Sequence, residues 1–125
     1  MNKSSSINKR EIGKKYELAA ENYMREKGYR ILETNFYTRF GEIDIIAYKD
    51  KTFVFTEVKY RKNDRFGTAL EAVDYRKQMH IIKSALCYLN YKGYGNYASN
   101  INIRFDVIGI CNNKIEHIEN AFGEN

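Results

Sequence analysis

A chain of 125 residues has room for one folding unit with a real core and not for two. Hydrophobic residues at 43% and charged residues at 30% are the balance of an ordinary globule, and no apolar run nears the roughly 18 residues of a membrane span. Lys and Arg exceed Asp and Glu by 21 to 16, giving net +5 and a pI near 9.1, which is compatible with a polyanion partner.

The start, Met1 to Arg10, is polar and serine-rich, without the apolar centre of a signal peptide or anchor. A cytoplasmic address with no membrane partner is expected, with residues 1–7 and 120–125 flexible at the ends of a single domain. From about Asn8 to Lys27, Ile12, Tyr16, Ala19, Ala20, Tyr23 and Met24 recur at helical spacing, and Gly28 supplies the stop. Tyr29 to Tyr37 reads as a strand and Arg39-Phe40-Gly41 as a bend. Two further strands, about Glu42 to Tyr48 and Thr52 to Tyr60, flank the polar turn Lys49-Asp50-Lys51.

Residues 61–67, RKNDRFG, read as a mobile loop. A helical stretch from about Thr68 to Tyr91, broken near Asp74, carries Ile81, Ile82, Ala85, Leu86 and Leu89 as its apolar stripe. The tract 91–100 is a loop, Ile101 to Cys111 a strand, and Lys114 to Ile118 a further strand after the turn Asn112-Asn113. Cys87 and Cys111 have no CxxC partner, and with His80 and His117 they fall short of a zinc pattern, so buried thiols are expected. This order of elements gives an α/β or α+β sandwich around a mixed sheet. Ile43, Ile45, Ala47, Val54 and Val58 would line one face, and Ile46, Tyr48, Phe53 and Phe55 the other, so the sheet is covered on both sides.

Asp44, Glu57 and Lys59 stand inside these apolar strands, where charge persists only when paired or metal-bound. If a two-residue turn at Asp50-Lys51 closes the hairpin, Lys49 pairs with Thr52, and Asp44 lies across from Glu57. A four-residue loop keeps that pairing, whereas a three-residue loop without a bulge separates the acids. The apolar pattern selects the former. Opposed carboxylates have Cβ atoms roughly 4.5–5.5 Å apart, and a hard divalent cation with water and phosphate oxygens relieves their repulsion. Lys59, one pleat on, is placed to orient a water nucleophile or neutralise phosphate charge. The alternative is a cross-strand ion network of Glu42, Asp44, Glu57 and Lys59 without chemistry.

The order Asp44, then Glu57-Val58-Lys59, resembles the PD-(D/E)xK signature of restriction-endonuclease-like nucleases, with Ile43 in the place of the signature's proline. More closely, the chain resembles the YraN family of small bacterial proteins. The likeness rests on Gly13, Glu17 and Ala20, Asn35, Gly41-Glu42-Ile43-Asp44, Phe55-Thr56-Glu57-Val58-Lys59 with Arg61, Lys77, and Arg104-Phe105-Asp106-Val107. It implies a restriction-endonuclease-like α/β sandwich, a central mixed sheet flanked by helices on both faces. It also implies a Mg²⁺- or Mn²⁺-dependent nuclease with Asp44 and Glu57 as metal ligands, Lys59 positioning the nucleophile and Glu17 as an added catalytic acid, with Glu21 as its substitute.

Arg61, Lys62, Arg65, Arg76, Lys77 and Lys83, with His80, suit contacts to a phosphate backbone, and Tyr91, Tyr94 and Tyr97 suit stacking on unpaired bases. Arg104 and Asp106 read as a structural pair. The expected partner is nucleic acid, DNA first, with branched or damaged DNA as candidate substrates. One metal site cuts one strand, so cutting a duplex takes a homodimer or two turnovers. A non-catalytic nucleic-acid-binding module and a protein-interaction scaffold are the competing readings.

Overall fold

A computed structural model describes the backbone of residues 5–62, 69–94 and 101–123, with side chains from Lys9 onward. Its elements are α1 (Ser5–Glu26), β1 (Arg30–Thr38), β2 (Gly41–Lys49), β3 (Thr52–Arg61), a 3-10 turn (Leu70–Ala72), α2 (Tyr75–Tyr91), β4 (Asn102–Cys111) and β5 (Lys114–Phe122). The expectations for the loop 63–67, Arg65 among them, and for Tyr97 lie outside the described residues.

Local chemistry sets the boundaries. Gly28, at φ 94°, ends α1 as the Tyr29 N–H bonds Met24 O and the Gly28 N–H bonds Arg25 O, the paired closure that favours glycine. Asp74 breaks the second helical stretch as expected, because its carboxylate caps α2 by accepting from the Lys77 N–H at 2.8 Å. Asp50 and Lys51 have φ of 51° and 61°, the two-residue turn that matches the twist of a hairpin. Asn112 and Asn113 do the same for β4 and β5, at 52° and 64°.

The sheet runs β1-β2-β3-β4-β5, with β3 and β4 parallel and the other neighbours antiparallel. A parallel neighbour needs a crossover, which the segment carrying α2 provides. On the α2 side Ile46, Phe53, Phe55, Phe105 and Val107 pack with Ile81, Ala85, Tyr88 and Leu89. On the α1 side Ile45, Ala47, Val54, Ile108 and Ile110 pack with Ala20 and Met24. Helices therefore cover both faces.

Several details differ from the pattern. Ile43 joins the α2-side core rather than the face of Ile45, so side-chain alternation fails between them, at Asp44. On β1, the register places Phe36 against Ile43 and Thr34 against Ile45, and the intervening Asn35 has a left-handed φ of 51°. Leu86 is 47% exposed and Ile12 44%, because the packed face of α2 runs through Ile81, Ser84, Ala85, Tyr88 and Leu89, and Ile12 precedes the stretch of α1 that meets the core. Cys87 and Cys111 are half-buried, not buried. β5 continues past Ile118 to Phe122, where Phe122 stacks on Phe105 at 5.3 Å.

Arg104 and Asp106 do pair structurally. Asp106 is fully buried and accepts from Arg104 Nε and Nη2, each at 2.9 Å, and from the Asn120 N–H at 3.0 Å. His117 Nε2 lies 2.7 Å from it, and Arg104 reaches the Tyr29 hydroxyl at 2.5 Å. Burial pushes the Asp106 carboxyl up, but the bonds from His117, Arg104 and Asn120 outweigh it and hold it below its ordinary value. Asp106→Ala should cost about 3–5 kcal/mol in urea unfolding, because it strands buried partners. The contribution of Asp106 is present above the ordinary carboxylate range and is lost as pH falls through its depressed native value.

Candidate active site

The hairpin register places the acids. Pairing runs from Lys49↔Thr52 to Ile45↔Thr56, the register that the two-residue turn requires, and it ends at the residues next to Asp44 and Glu57. There a side chain joins the strands: the Val58 N–H donates to Asp44 Oδ2 at 2.8 Å. Asp44 is 9% exposed and Glu57 4%. Burial first, and then the Glu57 carboxylate, push the Asp44 carboxyl up to about 8. The Val58 N–H opposes the rise, and Glu17 and Glu42 add to it.

Glu17 comes from α1 to the same end of the sheet. Asn35 Nδ2 donates to Glu17 Oε1 at 3.1 Å and to Glu42 Oε2 at 2.6 Å, so one amide bridges two carboxylates from different elements. The left-handed backbone of Asn35, a conformation asparagine tolerates better than most residues, sets that amide between them. Pattern reading gave Asn35 no role and left Glu42 out of the catalytic set. The signal for Asn35 was its presence among the family-like motifs, and for Glu42 also its place in the alternative ion network with Asp44. Glu21 turns to Arg25 at 2.8 Å instead of toward the acids.

Lys59 Nζ lies 3.7 Å and Lys77 Nζ 3.4 Å from Glu57 Oε2. Lys77, expected to meet a phosphate backbone, thus reaches across from α2 to the buried acid. Lys83 stands over the Phe40 ring at 5.5 Å, beside the bend that joins β1 and β2, and the space over Gly41 is bounded by His80. Arg61 is half-buried, whereas Lys62 and Arg76 are exposed. Tyr94 belongs to the other end of the sheet, whereas Tyr91 lies 6.1 Å from the Phe36 ring on β1. Tyr94 packs 5.3 Å from Phe53, about 13 Å along β3 from Glu57 by strand rise, beside a separate groove of about 660 Å³.

Among the described residues no group of three or more His, Cys, Asp or Glu side chains is arranged to hold a metal ion. An ion at this place would rest on Asp44 and Glu57, with water and substrate oxygens completing its shell, the usual manner for Mg²⁺. Two features fit that role. Glu57 Oε1 is buried without a hydrogen-bond partner, and Asp44 faces a like charge that a cation would offset.

A mixed sheet covered by helices on both faces, with two acids and a lysine where a hairpin opens, defines an α/β protein consistent with a restriction-endonuclease-like sandwich. The chain belongs to the uncharacterised protein family UPF0102, whose model matches residues 16–110, the YraN-like group to which the motifs pointed. It is 45% identical over 120 residues to a UPF0102 protein of Vibrio parahaemolyticus, covering 94% of this chain and 97% of the relative. It is 45% identical over 114 residues to one from Fusobacterium nucleatum (91% and 92% covered). With one from Thermodesulfovibrio yellowstonii it shares 49% over 114 residues (90% and 96%). Among the described residues no helix is long and apolar enough to cross a membrane.

Proposed function

We propose that this protein is a Mg²⁺- or Mn²⁺-dependent nuclease that hydrolyses phosphodiester bonds in DNA, with branched or damaged DNA as candidate substrates, in the cytoplasm. The observation that carries the reading is a pair of buried acids on neighbouring strands, one with an orphaned oxygen, beside two lysines from different elements. Asp44 and Glu57 would hold the cation, which when bound supplies charge stabilisation to phosphate oxygens and acidifies a water. Lys59 orients the attacking water or neutralises charge growing on the phosphate. Glu17, fixed through Asn35, completes the acidic wall, and Lys77 holds the Glu57 carboxylate in place. Arg61, Lys62, Arg65, Arg76 and Lys83 are assigned to the sugar-phosphate backbone, which positions a strand without reading its sequence.

A second reading has one observation behind it. Glu57 Oε2 already has two lysine neighbours, so the same residues could serve as the ion network of a nucleic-acid-binding module that does not cut. Linear, single-stranded, flapped and four-way DNA, incubated with Mg²⁺ or Mn²⁺, separate the two. The nuclease is expected to give product from at least one substrate, and an identically purified Glu57→Ala variant to give none. Salt-sensitive binding without product under every condition would establish the module instead, and product from both proteins would expose a contaminant. Cutting both strands of a duplex would call for a homodimer, read from the oligomeric state in solution.

A further inference from the structure

We infer that the groove between α1 and the β1-β2 hairpin takes a single nucleic-acid strand, admitted over Gly13. This deepens the nuclease reading and rests on it for the fate of the strand, but not for the binding itself. The groove, of about 600 Å³, is walled by Arg10, Gly13, Lys14 and Glu17 of α1 and by Asn35, Tyr37 and Glu42 of the hairpin. Glu17 and Glu42 on its walls are bridged by the Asn35 amide, and Glu42 stands two residues before Asp44 on β2, so the groove adjoins the acids.

Gly13 has no conformational or packing explanation. It lies within α1, where glycine weakens a helix relative to alanine, and a Cβ built on it meets nothing within 4 Å. Neither a positive φ nor a close protein neighbour requires it. What its missing side chain does provide is close approach to the helix backbone for something outside the protein. Arg10, Gly13, Lys14 and Glu17 follow one another at helical spacing on one side of α1. The two cations among them make no ion pair with other described residues. Within that set they are available to take the phosphates of a strand lying in the groove.

Tyr37 on the opposite wall is 74% exposed, costly apolar surface for a side chain at a strand end. A tyrosine face accepts a base only when that base is unpaired. The combination of an exposed ring, cations without an ion pair among the described residues and a helix stripped of one side chain fits a single strand better than a duplex, whose bases are already stacked and paired.

The test needs no cleavage. Fluorescence anisotropy of labelled oligothymidylate, oligouridylate and a blunt duplex is followed in EDTA at low salt, with the whole protein and its variants. The wild type is expected to bind a single strand more tightly than the duplex, and the deoxy and ribo arms tell which sugar the groove prefers. Gly13→Leu and Tyr37→Ala should each weaken strand binding on the order of tenfold. Gly13→Ala should raise the melting temperature by a few degrees, since it gains helix propensity without a clash. Wild-type affinity in both Gly13→Leu and Tyr37→Ala overturns the groove, as does absence of single-strand binding by the wild type. Tyr37 is an exposed residue, so its variant remains informative if Gly13→Leu folds poorly. A groove that binds strands in a protein that never cuts leaves this inference standing while the nuclease reading falls. Wild-type strand affinity in both groove variants of a protein that does cut has the opposite effect.

Discussion

Changing Glu57 to Gln is expected to slow phosphodiester cleavage on the order of a thousandfold, equivalent to several kcal/mol in the barrier, in a protein that still folds. The side chain keeps its shape and can still accept from Lys59 and Lys77, which lie 3.7 and 3.4 Å from Oε2, but it loses the charge that would hold a cation with Asp44. Lys59→Met should cost roughly a hundredfold to ten-thousandfold, the range for a group that assists proton movement at the nucleophile. Lys77→Met should cost far less in rate, because its contact is with Glu57 and Lys59 remains to neutralise that acid. Single-turnover rates with Mn²⁺, alongside circular dichroism of each variant, make the comparison. Equal losses in the two lysine variants would mean that both act only through the Glu57 charge, and full activity in Glu57→Gln would end the assignment of this site.

The hairpin register that leads to the two acids was legible in the sequence because side-chain alternation leaves few registers that bury Phe53 and Phe55 beside Ile46 and Tyr48. One turn, Asp50-Lys51, then fixed the register. The same alternation misplaced Ile43, since a left-handed Asn35 on the neighbouring strand has no signature in a hydrophobic pattern. Asn35 also bridges Glu17 and Glu42, and a contact between a helix and two strands cannot be read from spacing. Lys77 illustrates the same limit. Its position in a basic helix suggested a surface for phosphate, but the crossover after β3 brings it over the sheet to a buried carboxylate. Asp106 went the other way: its neighbour Arg104 two residues along the strand was enough to suggest a structural pair, while His117 and Asn120 became visible only once β5 lay alongside β4. Periodicity therefore reported the core and the hairpin, and the second layer of polar contacts needed the fold.

Asp44→Asn is expected to separate stability from function. The wild-type carboxyl is pushed up to about 8, chiefly by burial and then by Glu57, against roughly 3.9 in an unfolded chain. For an acid whose native value lies above its unfolded one, the folded state holds the extra proton between the two values. Stability therefore falls as pH rises through that window and levels off beyond it. The wild type should accordingly lose up to about 1.4 kcal/mol per pH unit relative to the variant between about pH 4 and 8. Asparagine retains an oxygen for the Val58 N–H, which donates to Asp44 Oδ2 at 2.8 Å, so the variant should keep the hairpin and escape the penalty. Melting curves of both proteins across this range, in EDTA, make the measurement. Adding Mg²⁺ at pH 8 should then raise the wild-type melting temperature by mass action and leave Asp44→Asn nearly unmoved, because binding there needs the ionised acid. The variant would thus be the more stable metal-free protein and the one unable to cut, as expected where strain is retained for function. Identical pH profiles for the two proteins would show that Asp44 titrates as an ordinary surface acid, and the buried pair would then not exist in solution.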